Sequence, residues 1–197
     1  MKIAIVGHIS RLPRCERLSQ LFGAEVFIDS VGKGALFNHL RALRWASQQS
    51  ERVIVMEDDA IPVVGFEEKA ERWFSLFPDY FLSFYLGTSR PPQYQSIIDK
   101  LIPEAQRVER DYIFLQQLIH GVCYSPPVGS IPKILGKIDR KKPADFAIGS
   151  AWGNGVFYPI KSLVEHADES SVEKHTDGRV SSGKRVARFL DGGLSNV

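Results

Sequence analysis

Apolar positions in this chain recur with two periods, one of strands and one of helices, and their order sets the expected fold. Lys2 to Gly7 holds the unbroken run Ile3-Ala4-Ile5-Val6, a first strand. Arg14 to Phe22 is helical in spacing, with Leu18, Leu21 and Phe22 on one side and Gly23 as its stop. Ala24 to Asp29 is a second strand, so the chain begins strand–helix–strand, and the right-handed crossover implies a parallel pair. Gly32-Lys33-Gly34 reads as a turn before a helix from Ala35 to Gln49, striped by Leu36, Leu40, Leu43 and Ala46. Arg52 to Asp59 is a third strand. Its Val53-Ile54-Val55-Met56 has no polar alternation, as in a strand buried on both faces. That strand runs straight into Glu57-Asp58-Asp59, and Pro62 stops it.

Further along, Phe66 to Phe77 predicts a helix whose stripe of Phe66, Ala70, Trp73, Phe74 and Phe77 reads as core. Tyr80 to Gly87 predicts a fourth strand, Thr88 to Gln95 a loop, and Ile97 to Ile102 a short helix. Gly121 to Tyr124 reads as a strand broken by Pro126-Pro127, Ile131 to Ile138 as a helix, and Gly155 to Pro159 as a short strand. From His175 onward Gly, Ser, Arg and Lys dominate, which predicts a loosely ordered tail. Neither an internal repeat nor a linker divides the chain. The expectation is an α/β fold: one Rossmann-like domain over residues 1–171, with a mostly parallel central sheet and helices on both faces, then a basic, polar tail over 172–197.

Composition narrows the class only a little. The chain has 197 residues, 44% hydrophobic and 24% charged, so neither disorder nor a membrane class is indicated. No run of apolar residues approaches the roughly 18 of a membrane span, and the N-terminus enters a strand without the pattern of a signal peptide. Two cysteines, Cys15 and Cys123, in unrelated contexts fit a reduced, cytoplasmic protein. The net charge of +2 names no partner. The cations are unevenly spread, however. Lys133, Lys137, Arg140, Lys141 and Lys142 face one acid, Asp139, and the tail adds Arg179, Lys184, Arg185 and Arg188. These are solvated faces, or surfaces for a polyanion.

The chemistry concentrates at strand ends. Asp29 and Glu57-Asp58-Asp59 fall on one sheet edge if their strands are parallel, and ligands of open α/β sheets bind at that edge. Three adjacent acids repel one another, and a hard divalent cation shared with substrate phosphates would compensate them. The plain alternative is an acidic turn. Gly32-Lys33-Gly34 lacks the spacing and the hydroxyl residue of a phosphate loop.

Two stretches carry a resemblance. Gly34-Ala35-Leu36-Phe37-Asn38-His39-Leu40-Arg41, then a helix, then Val53-Ile54-Val55-Met56-Glu57-Asp58-Asp59-Ala60-Ile61-Pro62 resembles the glycosyltransferase family of bacterial lipopolysaccharide galactosyltransferases and procollagen galactosyltransferases. Gly121 to Ser125, Asp145 and the segment Pro159 to Ser171 are similar to later motifs of that family. Asn38 stands where the family pattern has Ser, and Ala60 where it commonly has Val. The resemblance implies a GT-A-type fold, a nucleotide-sugar donor, in the first place a UDP-sugar, and Mn²⁺ or Mg²⁺. It implies Asp59 as principal metal ligand and His166 as a further ligand, with Glu57 and Asp58 around the sugar and ribose. Asp29 would accept from ribose or base. His8, Arg11 and Arg14 would meet the nucleotide, and Asn38 and His39 would lie by the site. Asp145 would activate or position the acceptor hydroxyl, and Trp152 would stack on a sugar or pack in the core. His120 and His175 carry no assigned role. The acceptor stays open: a surface glycan, a protein hydroxyl, or hydroxylated bases of DNA as in bacteriophage genome modification. An inactive nucleotide- or carbohydrate-binding module, and a metal-dependent phosphotransferase or nuclease, are the rival classes.

Overall fold

A computed structural model describes residues 1–167 and 184–195. The expected Asp168, Ser170, Ser171, His175 and Arg179 lie outside the described residues. Nine strands and six α-helices alternate along the rest. Strands β1 (Lys2–His8), β2 (Glu25–Asp29) and β3 (Val53–Glu57) alternate with helices α1 (Leu12–Phe22) and α2 (Ala35–Ala46). Then come β4 (Ala60–Pro62), α3 (Phe66–Leu76), β5 (Phe81–Ser83), α4 (Pro92–Arg107), β6 (Tyr112–Leu115) and β7 (Cys123–Ser125). Helices α5 (Ile131–Leu135) and α6 (Ala144–Trp152) precede β8 (Val156–Pro159) and β9 (Val164–His166).

The main sheet has seven strands in the order β2-β1-β3-β7-β5-β8-β6, and β4 with β9 makes a separate antiparallel pair. β1 pairs in parallel with β2 and with β3, as the crossover argument requires. β7 and β6 run against their neighbours while the other five strands point one way, so the expected mostly parallel sheet is a mixed one. Each strand of the parallel half feeds two cores. Ala4, Val6, Val53 and Val55 pack with Leu40 and Leu43 of α2, and with α4, α5 and α6. Ile3, Ile5, Ile54 and Met56 pack with Leu18 of α1 and with Phe66, Ala70 and Phe74 of α3. This is the period of two written onto a sheet covered on both faces, and each of the larger side chains contributes about 1.5–3 kcal/mol when fully buried. Gly23 ends α1 with φ 59, a left-handed geometry that a β-carbon would strain.

Two expectations change, and one strand appears where none was expected. The loop and short helix foreseen over 88–102 are largely one helix, α4, which carries Pro103 within it. Tyr112 to Leu115 forms a strand, β6, at the sheet edge. The end of the chain is also not a free tail over its described part. Residues 184–195 cross the domain as a strap: Thr88 N–H donates to Val186 O, Arg188 N–H to Leu86 O, Ser162 N–H to Phe189 O and Ser195 N–H to Pro62 O. Among the described residues, no helix is long and apolar enough to cross a membrane.

Candidate functional site

Polar groups gather where β1 and β3 end. Asp58 N–H donates to Val6 O at 3.0 Å, so the chain leaves β3 still bound to its neighbour. This seats the Asp58 carboxylate over the end of β1, where it accepts from His8 N–H at 2.9 Å. A β-carbon at Gly7 would lie 2.9 Å from Asp58 Oδ2, so that approach needs glycine. Arg11 follows in a short 3-10 turn and donates through Nη1 to Asp58 Oδ1 at 3.0 Å and to Asp59 Oδ2 at 2.9 Å. Asp58 and Asp59 are 6% and 7% exposed. Burial is the largest influence on Asp58, and it raises the carboxyl above its ordinary value against the pull of the His8 amide and Arg11.

The small β4–β9 ladder brings His166 beside this pair. Ala60 pairs with His166, and His166 Nε2 stands 3.4 Å from Asp59 Oδ2. Asp59 Oδ1 is buried and has no hydrogen-bond partner among the described residues. A buried carboxylate oxygen without a partner is costly, which fits a position completed by a cation. Among the described residues no group of three or more His, Cys, Asp or Glu is arranged to hold a metal by itself. Asp59 and His166 are donor types that a divalent ion accepts, and an ion here would need further ligands from outside these side chains.

A second constellation lies on the other side of Glu57. His39, 1% exposed on α2, meets Glu57 Oε1 through Nε2 at 3.1 Å and Tyr124 OH through Nδ1 at 2.9 Å. The Glu57 carboxylate can only accept, so the Nε2–H of His39 donates to it, and Nδ1 of that tautomer accepts from the Tyr124 hydroxyl. Gly121 makes room: a β-carbon there would stand 2.6 Å from Glu57 Oε1. Asp145, at the start of α6, is pushed up to about 6, chiefly by burial, with the Glu57 charge adding and the Phe146 amide and His39 opposing. Its Oδ1 accepts from Phe146 N–H at 2.8 Å.

The other expected residues have their own places. Asp29 accepts from Val31, Lys33 and Gly34 N–H at 3.2, 3.1 and 2.7 Å, so it builds the loop that carries Gly32-Lys33-Gly34. Burial is the largest influence on Asp29 and opposes its charge, but those amides together hold its carboxyl below the ordinary value. Asn38 donates to Gly7 O and Phe27 O at 3.0 and 2.6 Å and ties the ends of β1 and β2. His8 caps its own turn, Nδ1 accepting from Ser10 N–H at 3.2 Å. Arg14 and Arg17 line a depression beside Asp58, Ala60 and Ile61. Trp152 belongs to the core margin, with Nε1–H donating to Gly155 O at 2.7 Å.

Three residues without an expected role join the site. The Tyr85 ring lies between His120 and His166, at centroid distances of 4.9 and 6.1 Å. His120 Nε2 accepts from Gly87 N–H at 3.3 Å, and burial, with His166 and Arg185 adding, pushes its imidazole down to about 3, so it is neutral. Glu165 Oε1 accepts from Ala187 N–H at 2.6 Å and fastens the strap to β9. Only long-range pairing assembles these groups, so their local sequence carries no signal. Cys15 is pushed up to about 12, largely by burial, and is no nucleophile.

The fold and site together define an α/β protein with a buried acid cluster at a sheet edge. No family model matches the chain, and the comparison with curated proteins gives no match. Among solved structures it is similar to one titled "Crystal Structure of A197 from STIV", with a TM-score of 0.51 at 12% identity, covering 100% of this chain and 98% of that one. Likeness at that identity concerns the fold alone.

Proposed function

We propose that the chain is a metal-dependent glycosyltransferase of GT-A type, moving a sugar from a nucleotide-sugar, in the first place a UDP-sugar, to an acceptor hydroxyl in the cytoplasm. The observation that carries this reading is Asp59: an acid at a sheet edge, 7% exposed, with an unpartnered oxygen and with His166 Nε2 3.4 Å from the other one. A divalent ion held there would act as Lewis acid on the departing diphosphate. Arg11 and Arg14 supply positive charge for phosphate on the β1 side. Glu57, oriented by His39, accepts from hydroxyls of the sugar or ribose. Asp145, with its carboxyl at about 6, takes the acceptor's proton. An inactive binding module would not need the unpartnered oxygen of Asp59.

The test is nucleotide release from a panel of UDP- and GDP-sugars, with Mn²⁺ or with chelator. Manganese-dependent release from one donor, lost in Asp59→Ala, is expected. No release and no calorimetric binding of any donor removes the reading.

The acceptor has a second reading. Lys133, Lys137, Arg140, Lys141 and Lys142 are all exposed, which suits a polyanionic acceptor such as hydroxymethylated DNA. Arg188 does not join them, because it pairs with Asp99 at 2.6 Å. Binding of duplex DNA that weakens with added salt is the expected result of this reading, and binding that is absent or indifferent to salt rejects it.

A further inference from the structure

Arg11 stands where a cation would be drawn. Its Nη1 bridges the two acids, at 3.0 Å from Asp58 Oδ1 and 2.9 Å from Asp59 Oδ2. The unpartnered Oδ1 of Asp59 belongs to the same carboxylate. A bare divalent ion on Oδ1 would therefore share one carboxylate with a guanidinium, both largely out of water. Like charges so close in a poorly solvated place repel strongly. Something must draw the guanidinium aside before the ion is held well. A diphosphate matches the guanidinium fork. It would also find Arg14 and Arg17 beside Asp58, lining the depression next to the acid pair.

We infer that Arg11 makes this site selective for a metal–diphosphate complex over the bare ion: it holds the acid pair in the empty protein and passes to the diphosphate when donor and metal arrive together. This rests on the metal reading of Asp59. Its consequence is reciprocal: the nucleotide tightens metal binding and the metal tightens nucleotide binding by the same factor. Arg11 thus acts first by choosing what binds.

The experiment measures binding of Mn²⁺, from the EPR signal of the free ion, to the whole chain with and without UDP. Wild type is expected to bind Mn²⁺ weakly alone and more tightly with UDP. Arg11→Gln is expected to bind bare Mn²⁺ about tenfold more tightly than wild type, within the usual range of such couplings, and UDP with Mn²⁺ less tightly. Arg11→Lys keeps the charge and should stay as weak for bare Mn²⁺ as wild type. Bare-ion affinity that is unchanged or lower in Arg11→Gln overturns the inference and leaves the metal reading standing. Mn²⁺ binding that persists in Asp59→Ala overturns both. A wild-type measurement guards against a variant that does not fold. The guanidinium ¹⁵N–¹H signal of Arg11 should shift when UDP and Mg²⁺ are added together and hold still with Mg²⁺ alone. A shift with Mg²⁺ alone counts against the inference.

Discussion

Two parallel strands that flank β1 end in acid, and the two ends are put to opposite uses. At the end of β2, Asp29 accepts three backbone N–H groups of the loop that follows it. Its charge is spent on local structure. At the end of β3, Asp58 and Asp59 share one guanidinium from a distant part of the chain, and Asp59 Oδ1 is left without a partner. Backbone amides are fixed once the loop is made, whereas a guanidinium on a flexible stem can exchange one anion for another. Residue type and strand position are alike in the two places; what separates them is who satisfies the carboxylate.

The sharpest way to break this comparison is to truncate both acids. Asp59→Ala should lower metal-dependent donor release by about 10³-fold, the scale of losing a main electrostatic group, with little change in melting temperature. Asp29→Ala should leave turnover per folded molecule nearly intact and cost about 2 kcal/mol of stability, because several amides lose their acceptor. Equal losses of turnover in the two variants, measured at matched folded fraction, would erase the distinction.

Asp145 sharpens it from another side. Its carboxyl is raised from 3.8 to about 6, so the folded state holds a proton that the unfolded chain has already released. Stability is therefore lost as pH rises from about 4 to about 6, by on the order of 2 kcal/mol. Asp145→Asn should remove that loss and melt higher at pH 7, while turnover falls by about 10²-fold or more. In wild type, turnover should climb with pH through about 6, as the base ionises. A variant that keeps the same fall in stability between pH 4 and pH 6 would exclude Asp145 as its source.

The smallest effect belongs to Tyr124. Tyr124→Phe removes the donor to His39 Nδ1 and should cost about 1–2 kcal/mol of stability and a few-fold in turnover. Long-range ¹H–¹⁵N spectra of the imidazoles report the cause: His39 is expected to be protonated on Nε2 in wild type. A proton on Nδ1 instead would sever the chain from Tyr124 to Glu57.

Much of the parallel half is legible in the sequence, because its signals are local. The runs Ile3 to Val6 and Val53 to Met56, the stripe of α2 and the stop at Gly23 each speak for themselves. The acid edge follows from them, since parallel strands must end on one side. The other half is less legible. β7 is placed beside β3 by pairing Tyr124 with Val55, and nothing local to Tyr124 announces His39 as its partner. β4 and β9 have three residues each, too few for a period to show. Asp29 misleads for the same reason that it is stable: the identity of a strand-end acid does not reveal which amides will meet it. Asn38 likewise stands near the site and serves the backbone, tying β1 to β2.

The strap sets the timing of the whole arrangement. The β4–β9 ladder brings His166 to Asp59, and that ladder is held from outside by Glu165 on Ala187 and by Ser195 on Pro62. The parallel half can gather from near-neighbour contacts as it leaves the ribosome. The Asp59–His166 corner closes a loop of more than a hundred residues, and such closures come late. A growing chain therefore carries its acids with Arg11 as their companion and acquires the histidine side of the site more than a hundred residues later. Shortening the chain after residue 167 would leave a recognisable α/β body whose β4–β9 corner has lost the strap that holds it.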